Sequence, residues 1–292
     1  MASRGRGRES PELDAYVLAA ARDSPGELPV FPWVAARLME MLESPAAEIA
    51  EVQQLVAQDP AVSARLLRTA NSALLGGAMA AQDAGQAVVR LGLRETARVA
   101  MTAACRSLFD LADRAERSVF PEAWRGLWSE ALVGAHGASL IARELQRGDP
   151  GRVFIASLFR NVGGLVALKI VASAVVGGHL RPPPAATALA RTMHANGTAL
   201  GMRYLRDSKL PDYVVEIAGS LRDPPSPASR PELALVQAAH GLCEELGIAP
   251  FPTAVQPEEA CVALQALDID SARQDYFRLQ IQGLAEQVDE LL

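Results

Sequence analysis

Apolar residues recur along this chain with the spacing of helices. Val34, Leu38, Met41 and Leu42 stand at i, i+4, i+7 and i+8, which puts them on one face of a helix. Ser44-Pro45 then offers an N-cap followed by proline at the first helical position, where its missing N–H costs nothing. The next helix carries Ile49, Val52 and Val56 on one side and stops near Gln58. There Asp59-Pro60 repeats the same start, and a helix with Val62, Leu66 and Leu67 inward follows. Asp83 with Gln86 three residues on resembles a capping box, for a short helix that ends near Leu91-Gly92. A longer helix is expected over 94–109.

A second block opens around 118–121. Its helix, expected over 122–145, presents Leu132, His136 and Leu140 at a four-residue spacing. Residues 152–176 read as one or two buried helices broken near Gly163-Gly164, and Pro182, Pro183 and Pro184 end that region. Further helices are expected over 185–205, 211–221, 232–246 and 271–292. Between them 223–231 must be an irregular loop, since it contains Pro224, Pro225, Pro227 and Pro231. The last helix carries Tyr276, Leu279, Leu284 and Val288, a stripe that would pack on the body or pair with a partner helix. No strand-like alternation is sustained. The expected fold is all-α: a leading arm and helix (1–26), an N-terminal helical lobe (27–118), a second helical lobe (119–246) and a loop with a C-terminal helix (247–292).

Composition sharpens this picture at three points. Aromatic residues make up 5% of the 292 residues, so the core is built mainly from Leu, Val and Ala, which suits close-packed helices. A net charge of −6 makes the surface as a whole a poor match for a polyanion. Nucleic-acid binding would need a local patch, such as Arg4, Arg6 and Arg8 in the leading arm. Cys105, Cys243 and Cys261 lie far apart in no CxxC or Cys/His pattern, so a disulfide framework or zinc knuckle is not indicated and a reducing cytoplasm is expected. The apolar run around 163–178 is short for a membrane span and carries Lys169; it reads as a buried helix.

Several short motifs follow one another in a fixed order: Leu28-Pro29-Val30-Phe31-Pro32, Asp59-Pro60, Leu66-Leu67-Arg68-Thr69-Ala70-Asn71-Ser72-Ala73 and Val88-Val89-Arg90-Leu91-Gly92. They continue through Trp128 and the 154–168 segment to Leu210-Pro211. In identity, order and spacing they resemble the signatures of the HDOD domain, over about residues 27 to 222. The resemblance implies a multi-helical fold related to HD-type metal phosphohydrolases, in which an N-terminal lobe precedes a degenerate HD-like lobe, and a place in bacterial signalling. The motif residues also have purely structural readings. Asp59 and Pro60 start a helix, Asn71 and Ser72 suit a cap or a loop clasp or else a ligand contact, and Gly92 allows a turn.

HD enzymes hold a divalent ion through histidines and aspartates, and the ion activates water against phosphorus. The resemblance puts their adjacent His-Asp pair at Arg160 and Asn161, within Ser157-Leu158-Phe159-Arg160-Asn161-Val162-Gly163-Gly164. The upstream histidine falls at Glu130, a later one near Gly197, and a histidine pair at Leu221 and Arg222. A guanidinium cannot ligate a metal, and Asn161 lacks the charge. No His-Asp dipeptide occurs: His136, His179, His194 and His240 precede Gly, Leu, Ala and Gly. On this reading no ligand set assembles, and no metal or other cofactor is expected. His136 reads as a core histidine, His194 as a lone candidate three residues from a ligand position, and His179 and His240 as residues without a partner pattern. Cys105 and Cys243 read as buried structural thiols. P-loop, GxGxxG, HExxH and GxSxG motifs are missing.

The expectation is therefore a pseudoenzyme acting in signal transduction through protein–protein contact, its partners being other signalling proteins that carry the input and output. The alternative is that Arg160 and Arg222, opposite Glu130, replace the metal's charge and hold an anion such as a nucleotide phosphate. A divergent phosphohydrolase and a nucleic-acid binder are the disfavoured readings.

Overall fold

A computed structural model describes residues 9–23, 31–42, 48–72, 80–110, 113–249 and 257–289. The arm 1–8, the Leu28-Pro29-Val30 element, the Ser44-Pro45 start and Ala73 lie outside the described residues, as do the side chains of Leu42 and Cys261. The described residues form fourteen helices and no strand. They group into two units, one of Val30–Asp110 with Asp207–Pro211, the other of Met1–Pro29, Leu111–Arg206 and Asp212–Leu292. Of the end segments, the described residues 9–23 and 257–289 group with the larger unit.

In chain order α1 is Glu9–Asp23, and α2 (Trp33–Leu42), α3 (Ile49–Val56), α4 (Pro60–Ala70) and α5 (Ala84–Asp110) make up the smaller unit. Val34 and Leu38 of α2 are buried, with Met41 packed at the edge of the same core. In α3 the buried face is Val52, Leu55 and Val56, and Ile49 is exposed. Leu55 lies beyond Val52 on the side away from Val56, so the buried face is centred near Val52 and leaves Ile49 at its far margin in the first turn. Asp59 Oδ1 accepts the N–H groups of Ala61 (2.8 Å) and Val62 (3.1 Å), with Pro60 at the first helical position, so α4 begins where the sequence says it should. Val62 and Leu66 face inward, and Leu67 packs against the same core.

Helix α5 is two helices joined at Gly92, whose φ of 75° and ψ of 168° suit glycine and strain other residues. The short and long helices expected on either side of it are therefore present. At its start Asp83 Oδ1 accepts from Gln86 N (2.7 Å), but Gln86 Oε1 reaches back to Gln82 N (3.0 Å), one residue before the cap.

The larger unit continues with α6 (Arg114–Val119), α7 (Pro121–Leu145), α8 (Pro150–Phe159), α9 (Val162–Val176), α10 (Ala186–Asp207), α11 (Asp212–Gly219), α12 (Pro231–Glu245), α13 (Pro257–Ala266) and α14 (Ser271–Asp289). Helices α6 and α13 were not expected from the periodicity, being short and weakly striped. The sequence does carry the start of α6, a capping box between Asp113 and Glu116. Glu116 is also the answer to Lys169: it accepts hydrogen bonds from Lys169 Nζ and Ser173 Oγ, so the charge in the apolar helix is matched. The run Pro150–Val176 is long and apolar enough to cross a membrane, but it is interrupted after Phe159 and 83% of its most apolar stretch is buried inside the protein.

Helix α7 is the central element, buried on most of its circumference, and α8, α12 and α14 pack against it. Against the expected stripe of Tyr276, Leu279, Leu284 and Val288, α14 buries Phe277, Ile281 and Val288 and exposes Tyr276 and Leu279. Positions 277, 281 and 288 fall on one helical face, whereas 276 and 279 lie off it. Gly137 of α7 admits that face, since a Cβ there would sit 3.1 Å from Ile281.

The break expected near Gly163-Gly164 falls at Arg160-Asn161, just before them. Gly163 and Gly164 lie within the first turn of α9 and serve packing. A Cβ on Gly163 would stand 1.8 Å from the carbonyl oxygen of Gly197 and 2.6 Å from the nitrogen of Gly201, so α9 and α10 meet backbone to backbone. A Cβ on Gly164 would stand 2.7 Å from Asn161 Oδ1. That glycine leaves room for the Asn161 side chain to turn toward α7.

Candidate functional site

The larger unit contains a cavity of about 570 Å³, within the size range of small-molecule sites. Glu130 of α7, Arg160 and Asn161 of the α8–α9 break, Gly197 of α10 and Leu221 and Arg222 of the loop after α11 all line it. Every position matched to an HD ligand therefore converges on one hollow, although the residues come from four separate stretches of chain. Local sequence explains how each is held. Glu130 rides on a helix buried nearly all round, Asp149 caps α8 through Gly151 N and Arg152 N, and Gly164 makes space for Asn161.

At the floor Arg160 and Glu130 form an ion pair, both side chains 3% exposed, with a guanidinium Nη2 donating to Glu130 Oε1. Asn161 Nδ2 donates to the other carboxylate oxygen at 2.8 Å. Burial by itself raises the Glu130 carboxyl, but Arg160, His240 and Asn161 outweigh it and hold the group at about 2. The carboxylate is thus permanently ionised at neutral pH and its charge is met by a fixed cation.

The second guanidinium behaves differently. Arg222 is exposed and donates to the backbone oxygen of His194, so it does not join Arg160 at Glu130 as expected. Its loop is pinned instead by Gln237 of α12, whose Nε2 donates to Leu221 O (3.0 Å) and Asp223 O (2.8 Å), and Asp223 pairs with Arg230.

The expectations that His240 lacks a partner and that no ligand set assembles need correction. His240 Nδ1 lies 3.1 Å from Glu130 Oε1 and its Nε2 lies 3.2 Å from Glu244 Oε1. Together Glu130, His240 and Glu244 bring three potential ligand atoms within 4.8 Å of one another. The missed signal was local: His240 and Glu244 stand four residues apart, on one face of α12. Its link to Glu130, 110 positions earlier, is made by helix packing.

The other residues singled out from sequence have mundane surroundings. His136 is half-buried with its ring edge-on to Phe154, centroids 5.1 Å apart. His194 lines the cavity and His179 is exposed. Cys105 and Cys243 are buried, and burial raises both thiols, that of Cys243 to about 12. In the smaller unit Asn71 caps α4, accepts Ala81 N at 2.7 Å and donates to Ala81 O at 2.9 Å. Arg90 Nη1 donates to Ala70 O at 3.1 Å beside it, and Ser72 N donates to Thr69 O. Asn71 thus clasps the backbone of Ala81 to the end of α4.

The HDOD domain family matches the chain over residues 28–224, about two thirds of its length and the span in which these motifs lie. The chain belongs to the HDOD family. Among solved structures, this HDOD chain is similar to a candidate metal-dependent phosphohydrolase from Shewanella amazonensis SB2B, with 21% identity, a TM-score of 0.69, and 95% of this chain and 99% of that one covered. It is also similar to an HDOD domain protein of unknown function from Geobacter sulfurreducens (21%, TM-score 0.66, 96% and 99% covered). A third is a candidate signal transduction protein from Marinobacter aquaeolei VT8 (20%, TM-score 0.63, 97% and 66% covered). At these identities the likeness concerns the fold. Among curated proteins no match is found. The ion that HD enzymes use does not fit the matched positions of this HDOD chain: a guanidinium stands at the histidine's place and already neutralises the one carboxylate there.

Proposed function

We propose that this HDOD chain is a non-catalytic regulatory module that acts by contact with other signalling proteins in a bacterial cytoplasm. The observation that carries the reading is the buried Arg160–Glu130 pair. Hydrolysis of a phosphate ester in this fold needs a cation that can polarise the phosphoryl oxygen and ionise a water. A guanidinium supplies charge but no open coordination position, and this one is spent on Glu130. One solved relative bears the name of a signal transduction protein and another that of a metal-dependent phosphohydrolase; Arg160 favours the former kind of role.

The nucleotide-binding alternative is weakened by the same pair. It needs two guanidinium groups for a phosphate, and Arg160 is neutralised while Glu244 adds a further negative charge to the cavity. Calorimetry with nucleotides is expected to give no heat of binding.

The deciding experiment is a hydrolysis assay on the purified chain with manganese, using nucleotides and bis(p-nitrophenyl) phosphate. Turnover should match that of buffer with metal alone. Turnover that disappears on Glu130→Gln would overturn the proposal. Crosslinking in the native cell, repeated with surface variants, then identifies the partner proteins.

A further inference from the structure

Charge in the smaller unit is divided between its helices. Helix α4 carries Arg65 and Arg68 and no acidic residue, and the stretch 96–109 of α5 carries Arg98 and Arg106 and none either. The acidic residues lie elsewhere or are engaged. Glu40 is on α2 beside Arg37, and Glu48 and Glu51 are at the start of α3. Asp59 and Asp83 serve as caps, and Glu95 pairs with Arg98.

Helices α4 and α5 pack together, which brings Arg106 within electrostatic reach of Arg65. Arg68 is exposed, and Arg65 and Arg106 are half-buried. Burial, Arg68 and Arg106, in that order, all lower the Arg65 guanidinium from its ordinary value. No carboxylate among the described residues offsets them there. Helix ends account for one member of the cluster, because Arg68 stands in the last turn of α4, where a cation suits the dipole. Arg65 is a turn earlier and Arg106 is on another helix. Packing of their long stems explains their burial, but not their shared sign.

An anion brought from outside relieves such a cluster. Guanidinium groups donate in a fork that matches a carboxylate. Arg65 and Arg68, three residues apart, offer two such forks about one turn apart, the spacing at which acidic side chains stand on a facing helix. An extended polyanion fits less well, since the chain as a whole carries a net charge of −6 and repels it beyond the patch.

We propose that the α4–α5 face around Arg65, Arg68 and Arg106 docks an acidic helical segment of a partner protein, with its carboxylates one turn apart. The proposal rests on the reading of the chain as a contact module and deepens it, by naming the surface and the sign of the partner. No residue of the cavity in the larger unit takes part. The contact is salt-sensitive, because exposed charges are screened by ions and contribute more to encounter than to residence.

The test is fluorescence anisotropy of a labelled alanine-rich helical peptide with four glutamates one turn apart, titrated with the full chain. A glutamine version of the peptide is the control, and a thymidine octanucleotide reports on nucleic acid. Binding of the glutamate peptide and not of its control is expected, and it should weaken about tenfold as salt rises from about 25 to 150 mM. Arg68→Gln and Arg106→Gln should each weaken it about two- to fivefold, and the double variant about tenfold. Arg68→Gln should melt no lower than wild type, since it removes repulsion along with a contact; a fall of several degrees would assign Arg68 to the fold instead. No binding of the glutamate peptide by wild type, or equal binding by the double variant, would overturn the docking surface. Tighter binding of the octanucleotide, lost in the same variants, would overturn the class of partner. Hydrolysis of bis(p-nitrophenyl) phosphate with manganese is measured on the same samples. Turnover there would remove the non-catalytic reading and leave the peptide result standing, whereas absence of both binding and turnover would remove the docking surface alone.

Discussion

The two units use their polar residues in opposite ways. In the smaller one, Asp59, Asn71, Asp83 and Gln86 hydrogen-bond to backbone within ten residues of themselves. In the larger one, Glu130, Arg160, Asn161 and His240 are tied to one another across 30 to 110 positions. The first kind of interaction starts helices and fastens loops. The second fixes the electrostatics of a cavity. The contrast teaches that motif residues shared by a family need not share a purpose: those of the smaller unit shape the chain, and those that the resemblance matched to HD ligands line a cavity.

The sharpest way to break the comparison is Arg160→Ala, which strands the buried Glu130 carboxylate. A loss of about 3–5 kcal/mol is expected, measured by urea denaturation. The double variant Glu130→Leu/Arg160→Met should recover most of it, because two buried charges leave together. If Arg160→Ala is as stable as wild type, the pair is not the closed floor described above.

Acid should expose the same pair. The Glu130 carboxyl is held at about 2 against an ordinary 4.5, mainly by Arg160 overcoming the effect of burial. A depressed folded value means that the contribution to stability is complete above the ordinary value and is lost as pH falls from about 4.5 toward 2. The urea midpoint of wild type should therefore drop more steeply across that window than that of Glu130→Gln.

A smaller effect, about 1–3 kcal/mol or more, is expected from Gly163→Ala, since a Cβ must push the α9 and α10 backbones apart. It separates packing from polar chemistry within the larger unit, and a shift in thermal unfolding measures it. For the smaller unit, Asn71→Ala removes both bonds to Ala81 and should cost about 1–3 kcal/mol. Asp59→Ala removes a cap worth about 1 kcal/mol.

Much of this was legible in sequence where a signal acts over a few residues. Asp59-Pro60 starts α4, Gly92 divides α5, and the prolines of 223–231 keep that segment irregular, because caps, positive φ and missing N–H groups are local constraints. The family resemblance placed Glu130, Arg160, Asn161 and Arg222 near one another, and all four line the cavity. Three details were decided by packing. The break expected near Gly163-Gly164 falls just before them, and the two glycines serve as contact points. Tyr276 and Leu279, read as part of a stripe that packs on the body or on a partner helix, are exposed, and His240 looked solitary and faces two carboxylates.

By itself the sequence determined an all-helical chain, most of its helix starts and the absence of any His-Asp dipeptide, since each follows from residue chemistry over at most a turn or two. Which guanidinium meets Glu130, and that α12 brings a histidine to it, belonged to the tertiary structure alone. Those outcomes depend on how whole helices cross, and crossings are set by the summed packing of many side chains at once.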